Sequence, residues 1–101
     1  MTKLSAPGLH LLIDFWDAQN LQDANHIRLA LTEAAKACGA TVLEVKLHSF
    51  GEGFGITAVA ILAESHITIH TWPEINYAAL DVFVCGSCDA HQAIPILQKF
   101  F

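Results

Sequence analysis

Between residues 56 and 84 three β-patterned runs follow one another, with gaps that allow little but a reversal of direction. Residues 56–63 are almost wholly apolar, the pattern of a strand buried on both sides. Residues 66–71 alternate strictly (His66-Ile67-Thr68-Ile69-His70-Thr71), and residues 78–84 form another apolar run ahead of Cys85-Gly86. A parallel pair needs a crossover of about a dozen residues or more, whereas strands joined by short loops run antiparallel. This stretch therefore commits the chain to an antiparallel sheet.

The rest of the chain extends that plan. Residues 9–16 are apolar and β-compatible. Residues 41–50 alternate Val42, Leu43, Val45 and Leu47 with Glu44, Lys46 and His48, as a strand with one wet face does. From Ala24 to Cys38 the apolar positions Ile27, Ala30, Leu31, Ala34 and Cys38 share one helical face, with Asp23 as N-cap and Gly39 as the C-terminal stop. Asp89 can cap a final helix that carries Ala90, Ile94, Leu97 and Phe101, although Pro95 removes an amide donor there, so the helix must start later or bend. The order β-α-β-β-β-β-α predicts an α+β fold over residues 1–101: one domain, two layers, an antiparallel sheet with helices on one face.

Such a sheet leaves its other face open. Apolar residues make up 53% of the 101 and charged ones 15%, more apolar surface than so small a domain can hide, so a homodimer or higher assembly is expected. A net charge of −5 with five Lys and Arg argues against nucleic acid and anionic membranes and suits a small cationic molecule. No stretch reaches the roughly 20 apolar residues that span a bilayer. Residues 1–8 lack the apolar core of an export signal, and three cysteines in such a chain point to reduced thiols and a cytoplasmic location.

Several chemical readings fail on context. Gly51-x-Gly53-x-Gly55 joins two strands and opens no helix, so it offers no helix N-terminus to a phosphate. Its flanking aromatics, Phe50 and Phe54, could cover a flat or cationic ligand. Cys85-x-x-Cys88 has redox spacing but lies too near the C-terminus to complete a thioredoxin-like fold. His66 and His70 are roughly 13 Å apart along an extended strand and cannot share one metal ion, so no metal is expected. Ser65 and His70, with Asp81 as orienting acid, could be drawn as a hydrolase, but no nucleophile elbow surrounds the serine.

The strongest signal is the run Glu64-Ser65-His66-Ile67-Thr68-Ile69-His70-Thr71-Trp72-Pro73-Glu74, continued by residues 77–84 and Cys85-Gly86. It resembles the processing and active-site signature of the prokaryotic S-adenosylmethionine decarboxylase proenzymes, in which a Glu-Ser bond precedes His-Thr-Trp-Pro-Glu and a later Cys-Gly. The likeness extends more weakly through residues 10–16, His48-x-Phe50, the glycine loop and Thr57. Three features depart from the pattern: Asp14 stands where the family often has Glu, Thr57 where some members have Ser, and the sequence ends at Phe101 where many relatives continue.

That resemblance implies both a mechanism and a set of residue roles. Ser65 would attack the Glu64 carbonyl, and elimination would leave a pyruvoyl group at residue 65, with chains 1–64 and 65–101 as products. Thr57 and His70 would assist processing, His70 as the base. The pyruvoyl ketone, in place of pyridoxal phosphate and without a metal, would hold the substrate amine as a Schiff base, and Cys85 would return a proton. Phe50 would stack on adenine, Phe54 would meet the sulfonium charge and Glu74 the ribose hydroxyls. Trp72 and Tyr77 are expected in the core or at a dimer contact rather than against the ligand, and the resemblance implies active sites that lie between protomers. The same chemistry on arginine or ornithine is the alternative, with Asp14, Asp17 or Glu74 facing the distal cation. An unprocessed binding subunit is the other.

Overall fold

The computed structural model describes residues 6–101; residues 1–5, part of the segment that lacks an export-signal core, lie outside the described residues. Five strands and two helices follow in the expected order: β1 Gly8–Phe15, α1 Ala24–Cys38, β2 Val42–Ser49, β3 Ile56–Leu62, β4 Ser65–Trp72, β5 Tyr77–Cys85 and α2 Ala93–Phe100. The strands form one antiparallel sheet in the order β1-β5-β4-β3-β2. Three hairpins, β2-β3, β3-β4 and β4-β5, are local. The connection through α1 carries the chain from one edge of the sheet to the other.

Alternation decides which face is dry. Ile56, Ala58, Ala60 and Leu62 of β3, Ile67 and Ile69 of β4, and Ala78, Leu80, Val82 and Val84 of β5 are all buried. They join Ile27, Leu31 and Ala34 of α1 and Leu97 of α2 in one cluster. The intervening side chains, among them Thr57, Thr68, His70, Asp81 and Phe83, point to the helix-free face. On that face Leu12 is 80% exposed, so a large apolar side chain stands uncovered in the middle of β1. No helix among the described residues is long and apolar enough to cross a membrane.

Local chemistry sets the ends. Asp23 caps α1 by accepting the His26 amide at 3.1 Å, and Gly39 ends it at φ 87, a left-handed conformation that costs glycine little. Asp89 does the same ahead of α2, accepting the His91 amide at 3.0 Å, and that bond holds its carboxyl below the usual range. A 3-10 turn, Ala90–Gln92, intervenes before α2, which places Pro95 in the first helical turn, where an amide needs no intrahelical acceptor. The conflict seen in the sequence is resolved by a later start.

Two expectations need correction. Leu43 is not a core residue but 63% exposed, because a register shift between Val42 and Glu44 inserts an extra residue into β2. Of the two places expected for Trp72 and Tyr77, the core is the one overturned: Trp72 is 41% exposed at the end of β4 and Tyr77 is only half-buried. Leu31, wholly buried beneath the sheet, carries the usual core penalty. Leu31→Ala is expected to cost about 2–5 kcal/mol, read as a lower urea midpoint at unchanged m-value.

Candidate functional site

Leu62 and Ser65 are register partners across the β3-β4 hairpin, so Ala63 and Glu64 form a two-residue turn. Glu64 has φ 60, in the left-handed region that costs a non-glycine residue about 1–2 kcal/mol. The residue that bears this cost immediately precedes Ser65. Cys85, the last residue of β5, closes over this turn: its thiol donates to the Glu64 carbonyl at 3.4 Å, and its Sγ lies 3.5 Å from Ser65 Oγ. The Ser65 hydroxyl, the Glu64 carbonyl and the Cys85 thiol therefore meet at one end of the sheet. The contact between Cys85 and the Glu64 carbonyl was not visible in the sequence, since it depends on β4-β5 register.

Another group assembles at the far end of the same strands. Thr57 and His70 are register partners, and Thr57 Oγ1 lies 2.9 Å from His70 Nδ1. An open pocket of about 420 Å³ brings Phe50, Phe54, Thr57, His70 and Glu74 together. Trp72 also lines it, a contact residue that alternation along β4 could have revealed, since Trp72 has the parity of His70. The floor is held by Thr71, whose buried hydroxyl accepts the Ile56 amide at 2.8 Å and donates to the Leu21 carbonyl at 2.8 Å. Gly55 lies against that backbone so closely that a Cβ would stand 1.9 Å from the Thr71 carbonyl oxygen; only glycine fits.

Asp14 belongs to a neighbouring depression of about 330 Å³ on the helix-free face, which His70 and Asp81 also line. It accepts a hydrogen bond from the Tyr77 hydroxyl at 2.5 Å, which pushes the Tyr77 pKa up. Asp17 adopts φ 56 beyond the end of β1 and lines neither pocket. A larger depression, about 510 Å³, is lined by residues of the β1-α1 connection with Pro73 and Asn76; its one ionisable side chain is Asp23, already committed to capping α1.

The structure does not bring His70 to Ser65 within one chain. They are the sixth and first residues of a continuous strand, roughly 16 Å apart at about 3.3 Å per residue. One end offers a Glu-Ser bond preceded by a left-handed Glu64 backbone, and a thiol. The other offers an imidazole, a hydroxyl, a carboxylate and an aromatic-lined pocket. Of the remaining cysteines, Cys38 is buried against α2's lead-in, its thiol pKa raised by that burial, and Cys88 is partly buried at the core edge.

The family model for S-adenosylmethionine decarboxylase matches residues 9–101. An S-adenosylmethionine decarboxylase proenzyme of Methanococcus maripaludis is 51% identical over 96 residues, covering 92% of this chain and 78% of that protein. One from Thermomicrobium roseum is 38% identical over 95 residues, covering 93% and 82%. The crystal structure of the adenosylmethionine decarboxylase from Aquifex aeolicus superposes with a TM-score of 0.83 at 32% identity, covering 96% of this chain and 82% of that one.

Proposed function

The chain belongs to the S-adenosylmethionine decarboxylase family, and on that basis we propose that it cuts itself between Glu64 and Ser65 and then decarboxylates S-adenosylmethionine. The observation that carries the proposal is the convergence of Ser65, the strained Glu64 and Cys85 at the β3-β4 turn. Attack of Ser65 Oγ on the Glu64 carbonyl carbon turns the peptide into an ester, with the Ser65 nitrogen leaving as a free amine. Negative charge builds on the carbonyl oxygen during that attack, and the Cys85 thiol already donates to it. Removal of the Ser65 α-proton expels the Glu64 carboxylate; the dehydroalanine left behind takes up water and loses ammonia to become a pyruvoyl group. The residues present fit that group, since they need only the cut to make it.

The pyruvoyl ketone supplies an electrophile and electron sink that no side chain provides. Around it, this chain's own residues bind and move protons. Cys85 Sγ stands beside residue 65 to deliver one. Phe50, Phe54 and Trp72 offer rings to a flat base and to a sulfonium cation, and Glu74 offers acceptors to hydroxyls.

His70 enters this scheme from a second copy. A two-fold axis lying across the strands, between two helix-free faces, reverses strand direction and sets the Ser65 end of one sheet against the His70 end of the other. It also covers Leu12 and the apolar part of that face. Each active site is then built from both protomers: Ser65 and Cys85 from one, His70, Thr57 and the aromatic pocket from the other.

Intact mass of the purified protein, followed by carboxyl-labelled S-adenosylmethionine, arginine and ornithine, tests the reading. Two fragments, residues 1–64 and 65–101 with a pyruvoyl mass at residue 65, and label release from S-adenosylmethionine are expected. An uncut chain without activity overturns the self-processing reading, and release from arginine or ornithine alone overturns the substrate.

A further inference from the structure

Three side chains on the helix-free face converge and take no part in the proposed reaction. His10 on β1 and His66 on β4 are both register partners of Phe83, on the strand between them. The imidazoles flank its ring, with centroids 5.6 and 5.9 Å away, and meet each other edge to face at 6.0 Å. Asp81, two residues before Phe83, rises on the same face. Its Oδ1 contacts His10 Nε2 and lies 3.4 Å from His66 Nε2. The two ring nitrogens and the carboxylate oxygen all lie within 4.8 Å of one another.

We propose that His10, His66 and Asp81 form a binding site for a divalent first-row transition metal, zinc foremost. The donor set is two imidazole nitrogens and one carboxylate oxygen, which suits zinc and its neighbours better than calcium or magnesium, ions that prefer oxygen throughout. A tetrahedral zinc with bonds of about 2.0–2.1 Å holds its ligand atoms roughly 3.3 Å apart. The His66–Asp81 separation already has that value, and the half-exposed His10 ring has room to rotate toward it. Both histidines present Nε2 to the same carboxylate oxygen, and among the described residues neither Nδ1 nor the second Asp81 oxygen has a hydrogen-bond partner. The three ligands are mounted on adjacent strands of one sheet, a stiffer platform than a loop. A fourth position stays open, toward the space a second copy would occupy.

The placement also bears on the processed protein. His10 lies in the 1–64 segment, whereas His66 and Asp81 lie in 65–101, so one ion would tie the two products of the proposed cut together across β1, β5 and β4. Metal binding itself does not depend on that cut.

The test is calorimetric titration of zinc chloride into chelator-treated, desalted protein, with His10→Ala, Asp81→Asn and, as a control at an exposed histidine outside the cluster, His91→Ala. One zinc per chain is expected in the wild type and in His91→Ala, with affinity at least about tenfold weaker in the other two, no less than the loss that changes in a metal's outer-shell partners cause. Cobalt bound to the wild type gives a second readout that needs no variant: visible bands of a low-coordinate nitrogen and oxygen site support the assignment. Absence of zinc binding overturns the proposal. So does an affinity indifferent to His10 and Asp81, or the near-ultraviolet thiolate charge-transfer band of cobalt held by cysteine.

Discussion

Ser65→Ala is expected to leave the chain as a single uncut species of 11.0 kDa with no decarboxylase activity above background. Alanine has no hydroxyl, so no ester forms, no carboxylate can be eliminated and no ketone appears at residue 65. The fold should not notice. Ser65 is half-buried at the first position of β4, and among the described residues its hydroxyl makes one weak contact, with the Cys85 thiol. Deleting such a contact costs about 1 kcal/mol or less, so circular dichroism and melting temperature stay near wild type while mass and activity change completely. Ser65→Cys separates nucleophile from scaffold. A thiol can attack the same carbonyl, and elimination of the thiocarboxylate yields the same dehydroalanine, so partial cutting with partial activity is expected. A Ser65→Ala chain that still divides between residues 64 and 65 would remove the serine from the mechanism.

The second large effect concerns the two ends of β4. Ser65→Ala and His70→Ala should each abolish activity alone, yet co-expression of the two should restore it. In a mixed dimer one site combines the intact Ser65 of one copy with the intact His70 of the other, while the second site lacks both. Random pairing makes half of the dimers mixed, so roughly a quarter of wild-type sites should work, a figure that follows from two-fold symmetry. Mixed dimers isolated by differently tagged copies should show about half the wild-type activity on the same grounds. No rescue, with both variants dimeric and folded, would put Ser65 and His70 to work within one chain. That outcome would require β4 to bend back on itself, since its hydrogen-bonded register with β3 and β5 holds the residues apart.

Much of this was legible in the residues. The short gaps around Glu64 and Pro73 dictated hairpins, and the helical face from Ile27 to Cys38 is the buried face of α1. Leu43 misled because simple alternation does not register a bulge, which is a property of a strand pair and not of one strand. The Glu64 conformation was likewise hidden. Sequence singles out Glu-Ser as the proposed cut only through family likeness, whereas the left-handed backbone of Glu64 belongs to the two-residue turn and shows only in the folded chain. The separation of Ser65 from His70 was within reach of arithmetic: the spacing that keeps His66 and His70 from sharing a metal ion also keeps His70 from Ser65.

The elements, their antiparallel sense and the Glu-Ser, His and Cys signature could all be read without coordinates, because each is written in neighbouring residues. Where β1 goes could not. Alternation fixes which side chains share a face, but the partner of an edge-to-edge pairing is chosen by burial summed over the whole chain, and β1 finds β5 some seventy residues downstream, as in the pairing of Leu12 with Asp81. That one long-range choice carries His10 to Asp81 and His66. Register along β4 and β5, equally a tertiary matter, lays Cys85 against the Glu64 carbonyl and sends His70 to the opposite end of the sheet.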